Sequence, residues 1–308
     1  MIVFVKILSK VLLFGTSVHN ASVFQFIRGS AKVFTVLQLK ITPRANVSND
    51  FLFGGVFMDH YGHFLLENLS RVYSATPKEV IVFLGKEPSV PGYVYQVLKN
   101  LGIKNEVQIL RLLPTQTRVA SPGFVIRRYF SDNFADFLKS RCSKSSAFED
   151  GQRNKIWLSR SRLEKSSGLY IGEKVIERNL VRLGWKIVHA QDLALDVLIS
   201  TINAAYHIAG IQGSAFHNLL LTPNFSGKIS IYRIDSNLNF DLIFAKFSHN
   251  YINHTLIHKD ICGWRSRRLK IITEFNIDGV HLSIKCRYIG YLTKIKFTLN
   301  ATKIFNCY

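Results

Sequence analysis

Between Lys155 and Leu221 the chain alternates repeatedly between strand-like and helix-like hydrophobic spacing, and few folds accommodate that alternation. Ile156-Trp157-Leu158 is a short apolar run that ends in Ser159-Arg160-Ser161-Arg162. Ile176, Leu180 and Leu183 then recur three or four apart, and Gly184 is placed to stop that helix. Trp185 to His189 reads as a strand and Gln191-Asp192 as a polar corner. Leu195, Leu198, Ile199, Ile202 and Ala205 share one helical side. Tyr206 to Ala209 reads as a buried strand entering Gly210-Ile211-Gln212-Gly213-Ser214, after which Ala215 to Leu221 restarts a helix. Strands joined by helical crossovers of this length pair in parallel.

The chemistry of the stretch gathers at its last turn. Gly210 and Gly213 let the chain bend sharply and let a ligand approach the backbone. Ser214 is a natural N-cap, which would leave the amides of Ala215, Phe216 and His217 pointing out of the helix start. Such an end attracts anions, phosphate above all. Arg160 leaves a neighbouring strand on the same sheet edge, and a guanidinium beside a helix N-terminus suits a diphosphate. Spacing alone leaves a second reading open, in which Gly213-Ser214 is only a tight strand-to-helix turn.

A second cluster lies upstream, in His60-Tyr61-Gly62-His63-Phe64-Leu65-Leu66-Glu67-Asn68-Leu69-Ser70-Arg71. On a helix from Gly62 to Ala75, His63, Glu67 and Arg71 fall four apart on one face, while Phe64, Leu65, Leu69 and Val72 face the core. An imidazole with a carboxylate one turn along suits a general base, because the carboxylate orients the ring and raises its basicity. An ordinary solvated ion pair has the same spacing. Read as metal ligands, His60, His63 and Glu67 do not match the helical H-E-x-x-H arrangement, and no metal is expected.

Trp157-Leu158-Ser159-Arg160, Gly172-Glu173 opening a helix, Leu183-Gly184-Trp185, Ala209 to Asn218 and the upstream histidine block together resemble glycosyltransferase family 61, over roughly residues 50 to 245. Bacterial members are commonly labelled capsular polysaccharide biosynthesis proteins. The resemblance implies the GT-B fold, with the donor nucleotide sugar on the C-terminal half and the acceptor on the N-terminal half. It implies an inverting, metal-independent hexosyl- or pentosyltransferase with no cofactor beyond the nucleotide-sugar co-substrate. Its acceptor would be a hydroxyl of a glycan or lipid-linked glycan in surface polysaccharide synthesis. His63 and Glu67 are the expected catalytic pair, and Arg160, Gly213, Ser214, Ala215, His217 and Asn218 the expected donor contacts. Gln212 stands where many members carry histidine, and Asp196-Val197 where an acidic-Gln pair is usual. Those departures frame the rival reading, a degenerate, non-catalytic glycan-binding or membrane-associated protein.

The balance of 40 Lys and Arg against 20 Asp and Glu, a net charge of +20, favours anionic partners. The densest basic run is Arg265-Ser266-Arg267-Arg268-Leu269-Lys270, and no RNA-recognition, helix-turn-helix or zinc-finger signature accompanies it. An anionic membrane surface and an anionic donor are therefore expected, and nucleic acid is not. Cys142, Cys262, Cys286 and Cys307 form no C-x-x-C pair, which argues against a zinc site or a disulfide framework and for reduced thiols in a cytosol. The expected location is cytoplasmic, peripheral to the membrane. For the apolar start, Met1 to Phe14, three readings stay open: an interfacial helix with Lys6, Ser9 and Lys10 on one face, a first strand from Ile2 to Ile7, or a signal peptide.

Strand candidates at 79–85, 107–110 and 117–120 and helices at 93–101 and 134–139 repeat the alternation in the first half. The polar stretch Ser140 to Asn154 is the best linker. Lys228 to Ile234 reads as a strand and Asn237 to Phe247 as a helix; from Asp260 the pattern turns to short β-like runs without a nameable motif. The expected fold is α/β: two Rossmann-like domains facing across a cleft, with a β-rich tail. The expected boundaries are 1–145 for the acceptor-side domain, 146–245 for the nucleotide-sugar domain and 246–308 for the extension.

Overall fold

The computed structural model describes residues 3–8, 11–15, 23–26, 37–39, 51–86, 89–114, 117–142, 154–163, 170–233, 238–262, 268–277, 280–289 and 296–306. The chain is mixed α/β with parallel sheets, and it divides into two compact units. One comprises Met1–Ser143, His217–Pro223 and Leu238–Phe247; the other comprises Lys144–Phe216, Asn224–Asn237 and Ser248–Tyr308. Most of the linker expected at 140–154 lies outside the described residues. Among the described residues no helix is long and apolar enough to cross a membrane.

The first unit opens with four antiparallel strands, β1 (Val3–Leu8), β2 (Val11–Gly15), β3 (Val23–Phe26) and β4 (Leu37–Leu39), in the order β3-β2-β1-β4. The interfacial helix considered for the apolar start is thus replaced by a hairpin, consistent with the β-branched Val3, Val5, Ile7 and Val11. Next come β5 (Phe51–Val56), α1 (Tyr61–His63), a π turn (Phe64–Asn68), α2 (Leu69–Val72), β6 (Val80–Leu84), α3 (Gly92–Asn100), β7 (Val107–Leu110) and β8 (Thr117–Arg118). Strands β5 to β8 make one parallel sheet in the order β7-β6-β5-β8. The antiparallel pair β9 (Phe124–Val125) and β10 (Tyr129–Phe130) follows, then α4 (Asp132–Arg141), whose Ser131 cap accepts from the Phe134 amide. Leu52, Phe53, Phe64, Leu65, Leu69, Val72, Ile81 and Phe83 are buried in the core, as the helical spacing of the histidine block requires. Cys142, just past α4, is a free buried thiol, pushed up to about 12 by burial.

Glu79 ties the two-residue strand β8 to the entrance of β6. Its carboxylate accepts from Arg118 Nε at 2.6 Å and Nη2 at 2.8 Å and from the Thr76 amide at 2.7 Å. The Arg118 bonds, first among the causes, hold this carboxyl down at about 2. A carboxyl lowered in the folded state adds stability above its unfolded value and loses it as pH falls toward the folded one. Arg118 is partly exposed, so the contribution is about 1–2 kcal/mol after allowance for solvent screening. Arg118→Met should cost that much in chemical denaturation at neutral pH, and the gap from the parent should narrow as pH falls from about 4.5 toward about 2. An unchanged gap at pH 6 and pH 2.5 would show that the pair is not coupled to folding.

The second unit contains β11 (Asn154–Leu158), β12 (Tyr170–Ile171), α5 (Glu173–Arg182), β13 (Trp185–Val188), α6 (Leu195–Asn203) and β14 (Ala205–Ile211). A 3-10 helix (Ser214–Leu221) follows, and the division between units falls inside it. After β15 (Lys228–Arg233), α7 (Leu238–Phe247) belongs to the first unit, and β16 (Asn250–Thr255) returns to the second. The sheet runs β13-β11-β14-β15-β16 with every pairing parallel. The tail is β-rich as expected: β17 (Ile257–Cys262), β18 (Arg268–Ile277), β19 (Val280–Ile289) and β20 (Lys296–Asn306) join β12 in a further sheet. It shares the core of the unit, since Ile272, Phe275 and Ile277 bury in one cluster with Trp157, Ile176, Leu180 and Tyr232.

Each parallel sheet has a point where strand order reverses. In the first, β5 leads one way to β6 and β7, while β8 joins its other edge; in the second, β11 leads to β13 on one side and β14 on the other. Ligands of open α/β sheets bind beyond the carboxyl ends of the strands at such points. The residues that leave those ends are the histidine block after β5, and Arg160 and the Gly213 turn after β11 and β14.

Candidate active site

In the second unit, the structure brings Arg160 to the Gly213 turn. Arg160 Nη1 donates to the Gln212 carbonyl at 2.5 Å, and its guanidinium lies 5.2 Å from the centre of the Tyr170 ring. Its backbone amide donates to Glu173 Oε1 at 3.0 Å, and the same oxygen accepts from Trp157 Nε1 at 3.3 Å. Glu173 thus joins the end of β11 to the start of α5. Gly172, at φ 108°, turns the chain into that helix. Burial pushes the Glu173 carboxyl up to about 7, against the opposing Arg160 amide bond. The Gly172-Glu173 helix start was visible in the sequence, but its link to Arg160 was not, because the two are separated by the strand-to-helix connection.

The turn itself differs from expectation in one respect. The segment after Gly213 is a 3-10 helix, and the Phe216 amide donates to the Gly213 carbonyl at 3.1 Å. That amide is spent within the turn rather than left open to a ligand, because a 3-10 turn closes its bonds one residue earlier than an α-helix. A β-carbon at Gly213 would lie 3.1 Å from Arg160 Nη1 and 3.2 Å from its Cδ. Glycine there is what lets the guanidinium lie across the turn. Gly213→Ala should displace Arg160 and, where the turn takes the diphosphate that the resemblance implies, weaken that binding about tenfold, while moving the melting temperature by less than about 3 °C. Calorimetric titration with UDP and GDP beside a thermal melt checks this; full affinity in the variant would contradict it.

In the first unit, His63 Nδ1 and Glu67 Oε2 are 3.1 Å apart. Glu67 is 6% exposed, whereas the His63 side chain is 27% exposed, so the carboxylate is the buried orienting member and the ring the reachable one. The expected helix is interrupted here: Phe64–Asn68 is a π turn, with the Leu69 amide bonded to the Phe64 carbonyl. Asn68 accounts for the extra residue. Its Nδ2 donates to the carbonyls of Gly54 (2.9 Å) and Val56 (3.2 Å), on either side of Gly55, φ 102°, where the register of β5 is irregular. A β-carbon at Gly55 would meet Asn68 Nδ2 at 3.0 Å and Arg71 Cδ at 3.1 Å. Arg71 is buried, and Nε and Nη1 have no hydrogen-bond partner among the described residues. Burial lowers this guanidinium from its ordinary value, while the nearby Glu67 carboxylate opposes the shift.

His217 and Asn218 join this cluster, both being in the first unit. Tyr61 donates to Asn218 Oδ1 at 2.5 Å, a link across 157 positions that nothing in the spacing signalled. His217 packs on Phe240, ring centres 5.2 Å apart, and neither ring nitrogen has a hydrogen-bond partner among the described residues. Burial first, then the charges of His63 and His60, push it down to about 3, so the imidazole is neutral at physiological pH. The His60 ring meets that of His63 edge-on at 5.0 Å, and burial followed by His63 lowers its pKa as well. His63, Glu67, His217 and Asn218 therefore gather in one locus, and Arg160, Gly213, Ser214 and Ala215 in the other. Among the described residues no group of three His, Cys, Asp or Glu side chains is arranged to hold a metal ion.

A family model described as Glycosyltransferase 61 matches residues 61–228, more than half of the chain and every residue of both loci. The chain belongs to glycosyltransferase family 61, and glycosyltransferase activity is the activity that membership supports. A search of curated proteins returned no match.

Proposed function

We propose that this chain is an inverting transferase that moves a hexosyl or pentosyl group from a nucleotide-sugar donor to a hydroxyl of a glycan or lipid-linked glycan. The observation that carries the reading is the pairing of Arg160 with Gly213 at the carboxyl edge of a parallel sheet, where strand order reverses. In this reading the unit with Arg160 takes the donor and the unit with His63 takes the acceptor, the division of labour of a GT-B transferase. The acceptor oxygen bonds to the anomeric carbon as the bond from that carbon to the phosphate oxygen breaks. His63 takes the hydroxyl proton at Nε2, since Nδ1 faces Glu67, and the nucleoside diphosphate leaves with its electron pair. The Arg160 guanidinium and the Ser214 backbone meet the growing phosphate charge, a role that requires no metal. The neutral His217 and Asn218 contribute hydrogen bonds rather than charge, which suits a hydroxylated ligand better than a phosphate.

The setting belongs to the same proposal: synthesis of a capsular or related surface polysaccharide, at the cytoplasmic face of a membrane whose anionic surface attracts the +20 chain. The test is incubation of the full chain with a panel of UDP- and GDP-sugars, following nucleoside diphosphate release by mass spectrometry, with water as the default acceptor. Release from one donor, lost in Arg160→Ala, is the expected result. Nucleotide binding without release from any donor, even with added glycan acceptors, would favour the non-catalytic binding protein.

A further inference from the structure

Two acids of α5, Glu173 and Glu177, hold the segment that carries Arg160, and the proposed reaction uses neither. They lie one helical turn apart. Glu173 is 1% exposed, and both hydrogen bonds it accepts end on Oε1: one from the Arg160 amide at 3.0 Å, one from the Trp157 indole at 3.3 Å. Glu177 Oε1 accepts from the Ser159 hydroxyl at 2.5 Å, and the Ser159 oxygen accepts in turn from the Ser161 amide at 3.0 Å. Residues 159–161, the exit from β11, are thus clamped onto α5 by side chains. On its other side the Arg160 guanidinium reaches the Gln212 carbonyl. Arg160 is therefore fixed at its backbone by Glu173 and at its far end by the Gly213 turn.

A buried acid is a costly choice for such a clamp. A carboxamide would accept the same two bonds with no charge to bury. The acid supplies a second state instead. The charged groups facing it are Arg160, from the end of β11, and Glu177, on its own helix. Burial, with Glu177 in support, outweighs the Arg160 amide, the Trp157 indole and the Arg160 charge, so the carboxyl titrates at about 7. The proton has a place on Oε2, since both bonds use Oε1. A neutral carboxyl still accepts at its carbonyl oxygen, so protonation keeps Arg160 in position. What changes is the charge behind the guanidinium. An ionised Glu173 partly cancels its field on an arriving anion, and a neutral Glu173 does not.

We propose that Glu173 is a positioning residue for the donor: it presents Arg160 through that residue's backbone amide, and it takes up a proton as the diphosphate binds. The inference rests on the reading in which Arg160 meets the donor. An arriving anion favours the protonated carboxyl, so affinity is full below a pH of about 7 and declines above it. The test measures UDP affinity by calorimetry at pH 6 and pH 8 for the full chain, Glu173→Gln and Glu173→Ala. The Gln variant keeps an acceptor but cannot ionise. The UDP phosphate also titrates in this range, equally for every protein, so the ratio of the parent to the Gln dissociation constant is what is read. That ratio should be about one at pH 6 and about five at pH 8, which follows when UDP prefers the protonated protein about tenfold. Glu173→Ala should bind about tenfold more weakly at both pH values, and Glu173→Gln should recover that loss. Among the indole N–H signals of the 3 tryptophans, one should shift through a pH of about 7 in the parent and stay still in the Gln variant. The proposal is overturned if the ratio is the same at both pH values, if the Gln variant is as weak as the Ala variant, or if no indole signal behaves in that way; UDP binding by the parent then keeps the donor reading. A parent that binds no nucleoside diphosphate at either pH ends both. The pH ratio uses only the isosteric variant, so it decides the matter even where Glu173→Ala does not fold.

Discussion

Arg160→Ala should weaken binding of UDP or GDP by about 30- to 100-fold, with a fold that still melts cooperatively. Hydrogen bonds to a charged partner contribute about 1.5–3 kcal/mol each, and each 1.4 kcal/mol is about tenfold in affinity. Arg160 is well placed to supply that much because it is already held: its Nη1 bonds the Gln212 carbonyl at 2.5 Å, and Tyr170 lies beneath the guanidinium at 5.2 Å. Little conformational entropy remains to be lost on binding. Arg160→Lys should recover only part of the loss, since an ammonium cannot reproduce the planar two-point contact. Calorimetric titration of the three proteins decides the matter. Equal affinity in parent and Ala variant would remove Arg160 from the donor site.

His63→Ala should lower transfer by about 10²- to 10⁴-fold while changing nucleoside diphosphate affinity less than about twofold. The separation follows from the geometry, since the His63–Glu67 pair and Arg160 are built on different sheets. Glu67→Gln keeps a partner for the ring but removes the charge that supports the imidazolium, so a smaller loss of about tenfold to a hundredfold is expected. His217→Ala is the informative control. A ring held neutral cannot be an ionic phosphate ligand, so its removal should leave nucleotide affinity intact. Steady-state rates together with nucleotide titrations separate these outcomes. A His63→Ala enzyme at full rate would transfer the base role elsewhere.

How far the sequence led depended on the range of the interaction. The parallel strands and their helices were legible between Lys155 and Leu221, because hydrophobic period is a local property and the spacing was long and regular. The His63–Glu67 contact was legible for the same reason, being an i, i+4 pair. The π turn was not, because it is set by Asn68 reaching back to the Gly54 and Val56 carbonyls of β5. Nor could spacing show that the 3-10 helix carries Gly213 to Ser214 in one unit and His217 to Asn218 in the other, since residues a few positions apart look like one motif in a sequence. The tail showed its strands but not its attachment: Phe275 reads as one apolar residue of a β-like run, Leu269 to Ile277, until Trp157 and Tyr232 are seen packed against it.

All of this depends most on where the departing diphosphate is held. A crystal of the full chain soaked with UDP or GDP addresses that directly. The expected result is phosphate density within hydrogen-bond distance of the Arg160 guanidinium and the backbone at Gly213 and Ser214. Phosphate density at His217 or anywhere else away from Arg160 would contradict it.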